Sequence, residues 1–175
     1  AADADTAGDT LVNVTANALR VSSGGFGVSA NAVEIDVPLL SAAVAAQGLF
    51  AASVGDVFLG NTSALSVGRV QSDGSTLLTV TDASQTGLTG AGGMVSLKSG
   101  RDIGMADGTV LRGDGGITLQ TVRDLSMEQL QASAGTITLR IGGALIDGST
   151  ATDVSGQGLD LTVAGVGTSA NPLAI

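Results

Sequence analysis

Few side chains in this sequence can do chemistry. The 175 residues include no Cys and no His. That removes disulfides, thiol catalysis and thiolate metal sites, together with the usual general base and the usual metal ligand. The remaining carboxylates form one suggestive pair. Asp102 and Asp124 each follow an arginine, Arg101 and Arg123. Paired carboxylates act as general acid and nucleophile in glycosidases. Yet no Lys stands beside this pair, and three Phe are the only aromatic residues that could carry a sugar. The simpler expectation is a solvated acidic ladder, partly neutralised by its arginines, with no catalysis and no cofactor.

Other motifs each have a structural reading beside the functional one. Arg112-Gly113-Asp114, inside LRGDGG, is a tripeptide that many integrin ligands present on an exposed loop. It is the receptor-binding candidate, although Gly113, Gly115 and Gly116 would also make an ordinary turn with wet charges. Asp3, Asp5 and Asp9 faintly echo a calcium loop but lack its closing Glu, so no metal is expected. Gly24-Gly25-Phe26-Gly27 is only superficially a phosphate loop, since no GK[ST] or helix signal follows, and a turn is expected. Asn13-Val14-Thr15 and Asn61-Thr62-Ser63 match the N-glycosylation acceptor. Asn13 is expected to point outward from a strand, and Asn61 to lie in a turn.

The elements that must hold these groups follow from composition. Hydrophobic residues make up 43% of the chain and charged ones 13%, a balance that folds. With 27 Gly but only 2 Pro, collagen is excluded. Sixteen acids against seven bases give a net charge of −9, which repels nucleic acid and anionic lipid. The least polar run, from Val37 to Ala52, is interrupted by Pro38, Ser41 and Gln47. It falls short of the roughly 18 apolar residues of a membrane span, so a buried segment is expected instead. The opening Ala1-Ala2-Asp3 has neither Met nor signal character, which suggests a piece of a longer chain.

An internal repeat organises the rest. Val95-Ser96-Leu97, Ile117-Thr118-Leu119, Ile137-Thr138-Leu139 and Leu159-Asp160-Leu161 begin 22, 20 and 22 positions apart. Eight residues after the first three come Ile103, Leu125 and Leu145, and a third apolar site follows at Val110, Leu130 and Val154. Towards the N-terminus the same register suggests anchors at Val12-Asn13-Val14, Val33-Glu34-Ile35, Val57-Phe58-Leu59 and Leu78-Thr79-Val80. Alternating pairs are strands buried on one face, and so short a unit must stack on copies of itself. The expected fold is all-β: a right-handed parallel β-helix of about eight coils of about 21 residues, three strands per coil. Residues 1–175 form one segment, irregular over 1–92 and regular over 93–175. A bulging loop is expected around Leu39–Leu49. Leu97, Leu119 and Leu139 should stack inside, and Ser96, Thr118 and Thr138 outside.

The stretch GGMVSLKSGRDIGMADGTVLRGDGGITLQTVRDLSMEQLQASAGTITL resembles the haemagglutinin repeats of the filamentous-haemagglutinin family of large bacterial exoproteins. Its Gly-x-apolar-x-Leu and Gly-x-Asp-apolar pattern is met at Gly93–Ile103 and, less fully, at Gly115–Leu125 and Gly135–Leu145. The closing GVGTSANPLAI is similar to segments that end repeat blocks in such adhesins, and the resemblance covers Gly92 to Ile175. The Asn-Pro motifs of the family's secretion domain are absent; only Asn171-Pro172 occurs, near the C-terminal end. The resemblance implies a shaft segment, secreted through an outer-membrane partner and displayed on a Gram-negative surface. Its expected partner is a host-cell receptor or surface carbohydrate. The expected function is non-catalytic adhesion by a monomeric rod, without nucleic-acid binding or membrane insertion. The alternatives are a polysaccharide-cleaving β-helix enzyme acting through the Asp102–Asp124 face, and a self-assembling fibre subunit.

Overall fold

Apolar residues at alternate positions, punctuated by Gly and polar clusters, produce strands too short to bury anything alone. The computed structural model, which describes residues 11–62, 65–70, 76–82, 85–149, 151–166 and 173–174, shows how they are combined. Sixteen strands form one continuous sheet in which every pairing is parallel, coiled into a β-solenoid of about six turns. No helix occurs among the described residues.

Each full turn has three faces. On the first, Leu49, Val95, Ile117, Ile137 and Leu159 are successive partners, and so are Ala51, Leu97, Leu119, Leu139 and Leu161. On the second, Val57, Ile103, Leu125, Leu145 and Val166 align. On the third, Val21, Ala42, Leu88, Leu111, Leu130 and Val154 align. Adjacent rungs are about 4.8 Å apart, so each row is a continuous aliphatic column. Leu97, Leu119, Leu139, Val95, Ile117 and Ile137 are completely buried. Each such side chain contributes about 1.5–3 kcal/mol of transfer free energy. Ser96, Thr118 and Thr138 form the outward row beside them, as expected.

The corners are tight because one rung leans on the next. At Gly48, between the third and first faces, φ is +77° and an added Cβ would lie 2.3 Å from the Met94 carbonyl oxygen one turn above. Only glycine combines that conformation with that clearance.

The N-terminal half departs from the expected register. Val57-Phe58-Leu59 belongs to the second face, not the first. The first-face strand of that turn is Leu49–Ser53, so the run around Leu39–Leu49 lies in the solenoid rather than in a bulging loop. The excursion comes later, over 61–86. There Leu65–Val70 pairs antiparallel with Thr76–Asp82, above a short antiparallel base of Asn61–Thr62 and Gln85–Thr86. Leu78-Thr79-Val80 is thus part of a hairpin, not a coil anchor, and Asn61 sits in a strand rather than a turn. The chain leaves and re-enters at adjacent points: Gly87 N–H donates to the Gly60 carbonyl at 3.1 Å. Counting this insertion as coil adds one turn to the expected total. Alternation alone does not separate the two, because it is the same in an antiparallel hairpin and in a parallel rung. One further correction concerns the third face, where Leu111, not Val110, is the buried partner of Leu130.

Candidate functional site

The corner between the first and second faces carries the acids singled out above, with one more. At this corner the chain leaves one strand direction for another, and its N–H groups need acceptors. Asp102 N–H donates to Asp56 Oδ1 at 3.2 Å, Asp124 N–H to Asp102 Oδ1 at 2.8 Å, and Ala144 N–H to Asp124 Oδ1 at 2.8 Å. Each aspartate thus accepts the backbone donor of its counterpart one turn later. The arginines follow the same logic. Arg101 lies 3.8 Å from Asp56 and Arg123 lies 3.7 Å from Asp102, each reaching the turn before its own. These pairs are well exposed and therefore weak. Asp124 has no arginine above it, because the next turn places Gly143 there, and a Cβ at that glycine would stand 2.1 Å from Asp124 Oδ1.

The same device recurs elsewhere. Glu34 N–H donates to Asn13 Oδ1 at 2.8 Å, and Ala174 N–H to Asp153 Oδ2 at 2.6 Å, each across 21 positions. Asn13, just ahead of the strand Val14–Thr15, is exposed but uses its carboxamide oxygen in this bond. Asn61 is at the foot of the hairpin.

Beside the aspartates, the outward side of the second face holds a shallow groove of about 320 Å³. Asp56, Asp102 and Asp124 border it, and Phe58, Ser126 and Ile146 line it. Phe58 and Ile146 are 45% and 47% exposed. Phe58 lies in this position because its neighbour one turn up is Gly104: a Cβ there would come within 2.7 Å of the Phe58 ring. Phe58, Gly104, Ser126 and Ile146 thus make one outward row along the rod. Sequence reasoning missed Asp56, Phe58 and Ile146 as groove residues. The signal existed, since Phe58 is the middle, outward position of an alternating triplet, but the wrong register hid it.

Arg112-Gly113-Asp114 lies on another corner. Arg112 is exposed at the end of the strand Val110–Gly113, Gly113 is buried, and Asp114 is half-buried. Arg112 Nε donates to Asp114 Oδ1 at 2.8 Å, Ser133 Oγ donates to the same oxygen at 2.9 Å, and Gly92 N–H donates to Oδ2 at 3.0 Å. These donors, the arginine foremost, hold the Asp114 carboxyl down at about 2. In this arrangement the tripeptide's two charges engage each other, and the carboxylate ties together three successive turns. Arg140 and Asp160 form a similar pair on the first face, which lowers the carboxyl pKa and raises that of the guanidinium.

The remaining motifs are quickly placed. Gly24-Gly25-Phe26-Gly27 is a turn whose Phe26 bridges to Leu49. Asp3, Asp5 and Asp9 lie outside the described residues. Among the described residues no group of three acids could hold a metal ion. Comparison with protein-family models, curated proteins and solved structures gives no match to this chain.

Proposed function

We propose that this chain is a non-catalytic shaft segment of a secreted, cell-surface bacterial adhesin. The observation that carries the reading is the use made of its acids. Asp56, Asp102, Asp124 and Asp153 spend a carboxylate oxygen on the backbone of the next turn, and Asp114 ties the turns on either side of it. Such groups stiffen a rod; a general acid or nucleophile needs its oxygen directed at substrate. A hydrogen-bonded stack of this kind holds whatever it carries at a fixed distance from the cell, and its negative charge opposes lateral clumping. The resemblance of the 92–175 region to haemagglutinin repeats supports the same reading, with export through an outer-membrane partner and a host receptor or surface carbohydrate as ligand.

The test is attachment. Beads coated with the chain should adhere saturably to epithelial cells, and soluble chain should compete. Adhesion no greater than that of beads coated with an unrelated acidic protein would overturn the reading. The groove and its three carboxylates favour the alternative of polysaccharide cleavage. Incubation with neutral and acidic polysaccharides should release no reducing ends, and any sustained release that Asp102→Asn abolishes would establish the enzyme instead.

A further inference from the structure

We propose that the second-face groove is a subsite for an amine-bearing oligosaccharide, with a sugar ring seated on Phe58 and an ammonium group at Asp124. The inference rests on the adhesin reading and gives it a location and a ligand chemistry.

Three features converge here. The first is the platform. Phe58 lies over Gly104 and remains 45% exposed, so part of its ring faces the groove. A ring in that position offers a flat apolar face, which suits the C–H face of a pyranose and also attracts a nearby cation. Ile146 extends the apolar floor two turns beyond Gly104, with the hydroxyl of Ser126 between them.

The second feature is charge. The chain carries −9, and the groove is bordered by Asp56, Asp102 and Asp124. Anionic sugars are therefore disfavoured. Asp56 and Asp102 each have an arginine at 3.7–3.8 Å, whereas Gly143 leaves Asp124 without one. Asp124 uses Oδ1 for Ala144 N–H, and its second oxygen is left for a donor from a ligand.

The third feature is the backbone. An extended peptide docks best by adding a strand at an open sheet edge. This face offers none, because its central strands Ile103–Met105 and Leu125–Met127 are paired on both sides. An oligosaccharide needs no ladder. It needs stacking surface and acceptors at a regular interval, which the rungs supply.

The experiment is calorimetric titration of the full chain with a glucosamine tetramer, with its fully N-acetylated counterpart, and with tetralysine. The glucosamine tetramer should bind about tenfold more tightly than either of the others. Phe58→Ala and Asp124→Asn should each weaken it about tenfold, the asparagine keeping the acceptor for Ala144 N–H. Phe58→Leu, which retains an apolar side chain without a ring, should lose as much as Phe58→Ala. Asp107→Asn makes the same charge change at an exposed turn outside the groove and should leave affinity unchanged. Equal binding of the acetylated tetramer or of tetralysine would overturn the proposal, and so would indifference to Phe58→Leu. Beads carrying a Phe58→Leu chain separate the two readings. If they adhere normally while glycan affinity is lost, the groove is not the attachment site and the shaft reading stands. If wild-type beads fail to adhere but the glucosamine tetramer binds, the shaft reading falls and the subsite stands.

Discussion

The turns from Met94 to Thr162 and the lap that precedes them solve one problem in different ways. In the later turns, equivalent residues at the aspartate corner are separated by 22 and then 20 positions, and each lap goes directly into the next. In the earlier lap the corresponding hydrogen bond, from Asp102 N–H to Asp56, spans 46 positions. The added length lies between Gly60 and Gly87, where the chain leaves and returns without disturbing the register on either side. The comparison teaches that regularity belongs to the rungs and not to the chain. A solenoid tolerates a long insertion where entry and exit already adjoin, because each rung is held by the turns above and below it.

The largest effect expected from breaking that arrangement lies in the regular turns. Leu119→Ala opens a void in a fully enclosed column and should destabilise by about 2–5 kcal/mol, read as a lower midpoint in chemical denaturation. A loss under about 1 kcal/mol would mean that the columns are not the main source of stability. Next is the corner ladder. Asp102→Ala removes the acceptor for Asp124 N–H and should cost about 1 kcal/mol, while Asp102→Asn should cost much less. Equal losses would show that charge, not the backbone bond, matters there. Smaller still should be deletion of 61–86 with Gly60 joined to Gly87. Loop length enters stability only logarithmically, so the unfolding free energy read from denaturation should change by less than about 1 kcal/mol. A collapse of folding would show that the hairpin is part of the rung system.

The smallest effect is in acid. Asp114 is held at about 2, below the ordinary carboxylate value of about 3.9. A depressed carboxyl stabilises the folded state fully above the ordinary range, and that contribution is lost as pH falls through the folded value. The wild-type chain should therefore lose stability between about pH 4 and about pH 2, and Asp114→Asn should lose less over that window. Identical acid profiles for the two would remove Asp114 from the set of inter-turn ties.

Much of the rod was legible beforehand, and the reason is local. Val95, Leu97, Ile117, Leu119, Ile137 and Leu139 alternate with polar residues at a steady interval, and burial on one face imposes that pattern whatever the neighbours are. The pairing of Asp102 with Asp124 was legible too, as a coincidence of register. What the pair does was not. A carboxylate that accepts an N–H one turn later has no mark distinguishing it from one that is merely solvated.

The sequence by itself therefore determined the period and the inward rows of the first and second faces over 93–175, together with the poverty of reactive groups, all of which follow from residue type and spacing. The tertiary structure decided which alternating segments are rungs and which form the hairpin. It also decided that Arg112 and Asp114 face each other, and that Phe58 lies over Gly104 beside three aspartates. Those outcomes depend on which residue of one turn sits above which residue of the next, and that is settled only when the turns stack.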